Sequence, residues 1–180
     1  MKVPILRGPI ITLRQLKISD APNFVLWFRD IDVMKYFNND LWKINLEKEK
    51  SAIRSLQRNK NHPTWVIEVN GKHIGGTGLT LNKKDKTCRW GIIIGDKQEW
   101  GKGHAVEIID LCADYFFEKL KGERLDLTVE MENEKALKAY KKAGFKLEGV
   151  MRSSGYNKLL KKRIDNGVMS ILRDEWLKKK

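Results

Sequence analysis

Ile92-Ile93-Ile94-Gly95-Asp96-Lys97-Gln98-Glu99-Trp100-Gly101-Lys102-Gly103-His104-Ala105 carries an apolar, β-branched block into a glycine-punctuated turn. The amphipathic segment Val106 to Leu120 follows at once, with Ile109, Cys112, Ala113, Phe116 and Leu120 on one face. Strand, glycine turn and helix together make an anion cradle, because unpaired N–H groups converge at a helix N-terminus. Glycine at 101 and 103 lets backbone approach a ligand closely, and Lys97 and Lys102 flank the turn with positive charge.

Upstream, Trp65-Val66-Ile67-Glu68-Val69 reads as a strand, Asn70-Gly71 as a hairpin turn and Lys72 to Leu81 as the returning strand. Asn82 to Lys86 is a polar turn, and Thr87 to Ile94 is the strand that feeds the cradle. Before these, Ile10 to Leu16 opens the sheet. Phe24, Trp27, Phe28 and Ile31 mark a helix over 20–30, and a second helix runs from its cap Asn45 to Gln57. Downstream, Arg124 to Glu130 alternates as a strand, and a helix spans Glu134 to Ala143 with Asn133 as cap and Gly144 at its end. Strands over Phe145 to Val150 and Gly167 to Leu172 close the chain, with a polar loop at Gly155–Lys162 between them. The expectation is one domain over residues 1–180 of α/β (α+β) class, with a mixed, mostly antiparallel sheet and about four helices.

Composition narrows the partners. With 41% hydrophobic and 33% charged residues, the chain suits a globular domain. No apolar run approaches the ~20 residues of a membrane helix. The N-terminus lacks the apolar length and cleavage site of a signal peptide. Cys88 and Cys112 are read as free packing thiols of a cytoplasmic protein. No metal is expected, since His62, His73 and His104 show no ligand spacing. The net charge of +13 is read as a solvated basic surface; no aromatic-plus-basic RNA-binding motif accompanies it, which disfavours nucleic acid. The cradle lacks the third glycine of a dinucleotide fingerprint and the Gly-Lys-Ser/Thr ending of a P-loop.

Two stretches in register then resemble the GCN5-related N-acetyltransferase (GNAT) family. Gln98-Glu99-Trp100-Gly101-Lys102-Gly103 fits its Gln/Arg-x-x-Gly-x-Gly/Ala signature. Glu130 to Phe145, with Asn133, Ala136, Tyr140, Gly144 and Phe145, resembles its second cofactor-contacting helix. The order of elements agrees along nearly the whole chain. Within the family, the segments 94–97, 143–149 and 171–176 resemble the ribosomal-protein N-terminal acetyltransferase branch, which includes enzymes acting on polyamines, antibiotics and amino sugars.

The resemblance implies acetyl-CoA as acyl donor and an amine acceptor: a peptide or protein N-terminus, ribosomal proteins included, or a small molecule. It also admits a homodimer. It implies that the pyrophosphate rests on backbone from Trp100 through Gly101, Lys102, Gly103 and His104 to Ala105, beside Gln98. The pantetheine would pair with backbone at Ile92, Ile93 and Ile94. Asn133 gains a cofactor contact besides its cap, and Tyr140 becomes the general acid that protonates the departing thiolate. The strand glutamate of many relatives is here Arg89, which cannot act as a base. Glu68 on the neighbouring strand is the substitute, against the reading of a solvent-facing strand residue. His104 is expected either at the cofactor or as an exposed first-turn residue. Glu107 is explained by the positive end of its helix. The alternative is a non-catalytic acyl-CoA- or RNA-binding module on the same fold.

Overall fold

The computed structural model describes residues 3–37 and 43–179. Eight strands form one sheet: β1 (Leu6–Arg7), β2 (Ile11–Gln15), β3 (Thr64–Val69), β4 (Lys72–Asn82), β5 (Thr87–Ile94), β6 (Arg124–Glu130), β7 (Lys146–Asn157) and β8 (Lys162–Leu172). Their order across the sheet is β1-β2-β3-β4-β5-β6-β8-β7. Every neighbouring pair is antiparallel except β5–β6, which is parallel because a helix crosses between them.

The helices among the described residues are α1 (Ala21–Phe28), α2 (Ile31–Met34), α3 (Leu46–Arg58), α4 (His104–Asp114), α5 (Glu134–Ala143) and α6 (Arg173–Lys179). Their starts follow the local sequence. Pro22 sits in the first turn of α1, where its missing N–H costs nothing. Asn45 caps α3 by accepting from the Lys48 amide at 2.9 Å. Asp30 caps α2 through the Asp32 amide.

Strand alternation sends side chains to two cores. On one face Ile11, Leu13, Trp65, Ile67 and Leu125 pack against α4 through Ile108, Ile109 and Cys112, with Phe145 and Trp176 completing the cluster. On the other face Val66 meets Phe24, Trp27, Phe28, Met34 and Ile53 of α1, α2 and α3.

Three expectations are corrected here. The helix after the cradle starts at His104, two residues early, and its last turn at Tyr115–Lys119 is π-helical, with the Leu120 amide reaching the Tyr115 carbonyl at 3.1 Å. The loop expected at 155–162 narrows to the turn of a long hairpin, β7–β8. β7 is an outer strand exposed along nearly its whole length and bulged at 147/149 and 151/155, so its residues carry no alternating pattern. Finally, α2 and α6 bring the helices among the described residues to six where about four were expected; α2 is a single four-residue turn, and α6 is the longer of the two. It is seven residues long and too short for periodicity to register. Of the connection between α2 and α3, residues 38–42 lie outside the described residues.

Candidate active site

The site begins with a parting of two strands. β5 and β6 pair only through Thr87–Arg124, Cys88–Leu125 and Arg89–Asp126. Beyond Arg89, β5 stays paired with β4 as far as Ile94, and β6 stays paired with β8 as far as Glu130. From Trp90 to Ile94 one edge of β5 therefore faces a wedge with no strand in it. Such an edge presents peptide groups that an extended ligand can satisfy.

The open edge leads into the cradle. Gly101 (φ +78°) and Gly103 (φ +84°) adopt the left-handed conformation, and a Cβ at either would meet no protein atom within 4 Å. The amides of Gly101, Lys102, Gly103, His104 and Ala105 have no acceptor among the described residues. Five consecutive free N–H groups at the positive end of α4 can bind an anion such as a pyrophosphate.

The turn is braced by charge. Glu99 accepts from Lys102 Nζ at 3.0 Å and pairs with His104 Nε2 at 2.8 Å. The His104 pairing, followed by that with Lys102, holds the Glu99 carboxyl below its ordinary range. Lys97 bridges Asp30 at 2.8 Å and Asp32 at 3.0 Å, which ties the cradle to the α1–α2 connection and raises its own pKa through Asp30 first. The two lysines that flank the turn with positive charge are thus both paired with acids. His104 is 6% exposed, which removes the reading of an exposed first-turn residue.

Other expected residues fall as follows. Trp100 packs on the α1–α3 core, and its indole N–H donates to the Ile94 carbonyl at 2.7 Å. Gln98 is exposed beside the turn, its amide held by Asp96 at 3.0 Å. Asn133 caps α5, accepting from the Ala136 amide at 3.2 Å. Tyr140 lies on α5, edge-on to Trp90 of the open strand at 5.6 Å between ring centroids and 6.0 Å from Phe145. Burial pushes its phenol up to about 12, so it remains a proton donor throughout the physiological range. Its hydroxyl makes no hydrogen bond among the described residues.

Glu68 is neither solvent-facing nor beside Tyr140. It lies on the α1 side of β3, where Arg14 Nε donates to it at 2.6 Å while the same guanidinium grips Asp20 at 2.7 and 2.8 Å. Arg89 pairs with Asp126 at 3.0 Å where the strands part. Glu107 does more than complement the helix dipole, since Oε1 accepts from the Ile10 and Ile11 amides at 2.9 and 2.8 Å and pins β2 to α4.

Cys88 and Cys112 are 1% and 0% exposed, and burial raises both thiols, Cys112 to about 12. Neither has the microenvironment of a nucleophile. Among the described residues no group of three or more His, Cys, Asp or Glu could hold a metal ion.

Sequence reasoning missed one hub. Asn157 is 0% exposed; its side-chain N–H₂ donates to the Lys35 carbonyl at 2.5 Å and to Glu130 Oε2 at 3.2 Å. Its Oδ1 accepts from the Leu159 and Leu160 amides at 3.1 and 3.0 Å. The only sequence signal was an asparagine near a turn, which many exposed residues share.

Residues 11–146 match the family model described as the acetyltransferase (GNAT) domain. The N-acetyltransferase p20 of Bacillus licheniformis, itself uncharacterized, is 27% identical over 172 residues, which span 92% of this chain and 94% of the relative. The spermidine N(1)-acetyltransferase of Escherichia coli (strain K12) is 29% identical over 140 residues, 77% of this chain and 74% of the relative. Among solved structures, the spermidine N-acetyltransferase of Vibrio cholerae in complex with CoA and spermine superposes with a TM-score of 0.86 at 24% identity, covering 94% of this chain and 99% of that one.

Proposed function

The chain belongs to the GNAT acetyltransferase family and is an acyltransferase, and from that premise we propose that it moves an acetyl group from acetyl-CoA to a primary amine. One observation carries the reading: the unpaired edge of β5 runs without interruption into five free amides at the N-terminus of α4. An extended thiol-bearing arm fits the first part and a pyrophosphate the second.

In this proposal the pyrophosphate lies on the amides of residues 101–105, beside Gln98 and Lys102. The pantetheine lies along Ile92, Ile93 and Ile94. The Asn133 side-chain amide, whose oxygen is spent on the cap, donates to the cofactor through its nitrogen. The amine nitrogen attacks the thioester carbonyl, the C–N bond forms and the C–S bond breaks. Tyr140 gives its proton to the departing thiolate, and the attacking nitrogen releases its extra proton to solvent water, so one proton enters the thiol and one leaves the amine. We assign Glu68 to the network with Arg14 and Asp20 and give it no proton to carry.

The acceptor class is open to two sources. Relatives named for spermidine point to polyamines, while the resemblance to the ribosomal branch points to peptide or protein N-termini. A homodimeric, cytoplasmic enzyme belongs to the same reading. The test incubates the chain with acetyl-CoA and a panel of polyamines, amino sugars and peptides, and reads free CoA together with a 42-Da mass increase per acetyl group on the acceptor, the order expected for one C₂H₂O unit. Binding of CoA without turnover of any amine would return the chain to the alternative of a binding module.

A further inference from the structure

The wedge between β5 and β6 has a second side. Arg89 and Asp126 are the last paired residues, and alternation from them puts Gly91 and Ile93 of β5 and Thr128 and Glu130 of β6 on the α1–α3 face. Ile93 packs there against the α1–α3 cluster, which confirms the orientation. Leu125, Leu127 and Val129 point the other way, into the core under α4. Gly91 and Thr128 are exposed, and a Cβ on Gly91 would meet nothing within 4 Å. A shallow opening therefore crosses the sheet where the strands begin to part. Glu130 stands one alternation beyond Thr128, about 6–7 Å along the strand.

Glu130 is 4% exposed. Its Oε2 accepts from Asn157 Nδ2 at 3.2 Å, whereas Oε1 is buried and has no hydrogen-bond partner among the described residues. A buried carboxylate oxygen without a donor is costly and calls for a cationic or N–H-bearing partner. Among the described residues the nearby donors are engaged: Lys162 pairs with Glu132, and the Asn157 amide already serves both Lys35 and Glu130. Burial also raises the Glu130 carboxyl, with Asn157 and Lys162 pulling it back and Glu132 pushing it further.

We propose that Glu130 is the acceptor-binding carboxylate of this enzyme, its free Oε1 holding an ammonium group of the amine substrate at the α1–α3 mouth of the wedge. Asn157 then acts as a positioning residue. It fixes the other oxygen and draws the Lys35 segment and the 159–160 turn around the mouth. The inference rests on the acetyltransferase reading of the same wedge, with donor and acceptor entering from opposite faces of the sheet.

The test is calorimetric and needs no turnover. Spermidine and triglycine amide are titrated in turn into the full chain saturated with CoA. At least one should bind the wild type, and Glu130→Gln, which keeps the shape and removes the charge, should weaken that binding tenfold or more with the acetyl-CoA Kd unchanged. Thr128→Lys, at an exposed position beside the carboxylate, supplies a competing ammonium and should weaken the same probe without touching the fold. Equal binding of the probe by wild type and Glu130→Gln overturns the proposal, as does a wild type that binds neither ammonium. A wild type that fails to bind acetyl-CoA counts against the cradle instead, and the two failures are read in separate titrations.

Discussion

The indole N–H of Trp100 donates to the carbonyl of Ile94 across 2.7 Å, so the last residue of the open strand edge is tied to the turn that carries the anion cradle. The edge proposed for the pantetheine and the turn proposed for the pyrophosphate are thereby tied to each other. Trp100→Phe keeps the ring packing and removes this bond. It should raise the acetyl-CoA Kd severalfold and cost about 1 kcal/mol of stability, read by calorimetry and denaturant titration.

Gly103 occupies φ +84° at the head of α4, with open space where a Cβ would stand. Gly103→Val strains a β-branched residue in the left-handed region and places two methyl groups where the pyrophosphate is proposed to lie. The acetyl-CoA Kd should rise at least tenfold. Unchanged affinity would remove the anion from this turn.

Tyr140→Phe deletes one hydroxyl and leaves the ring against Trp90 and Phe145. If the phenol protonates the thiolate, kcat should fall tenfold or more while acetyl-CoA binding stays within about twofold, a pattern reserved for groups used in the transition state. A wild-type kcat would return Tyr140 to packing alone.

Gly95 opens the turn against the face of Trp27, where a Cβ would lie 2.0 Å from the ring. Gly95→Ala should destabilise the protein by about 1–3 kcal/mol, the usual range for overpacking. The loss will show in thermal melts before it shows in the acceptor KM.

Arg124 reaches across β8 to grip both oxygens of Glu148 at 2.6 Å, with Ser170 donating at 2.7 Å. The Arg124 bonds, then Ser170, lower this carboxyl from its ordinary 4.5 to about 2. A depressed carboxyl contributes stability above its unfolded pKa and loses it as pH falls through the folded one. The contribution should therefore disappear between about pH 4.5 and pH 2. Glu148→Gln should flatten that part of the Tm–pH curve by a modest amount, since the pair is solvent-screened.

The sheet and four of its helices were readable because their residues repeat with the period of the element that buries them. Arg124 to Glu130 alternates, and Phe24, Trp27 and Phe28 share a helical face. The turn before α4 was readable because backbone at positive φ favours glycine, at positions 101 and 103. The first part of β7 was read as the strand Phe145 to Val150, but its continuation to Asn157 was not, since an exposed outer strand is under no pressure to alternate. Glu130 and Asn157 were opaque for a different reason: their importance lies in mutual position across 27 residues of chain, and neither carries a motif. Lys97 and Lys102 showed their charge in the sequence, while the acids that neutralise it are visible only in space.

Burial of both cysteines has a practical consequence at the bench. Aqueous disulfide reagents react with accessible thiolates, and the folded chain offers them neither Cys88 nor Cys112. A colorimetric thiol assay on the native enzyme therefore counts released CoA with no background from the protein. The same reagent becomes a clock for unfolding, since each chain that opens adds its two thiols to the signal.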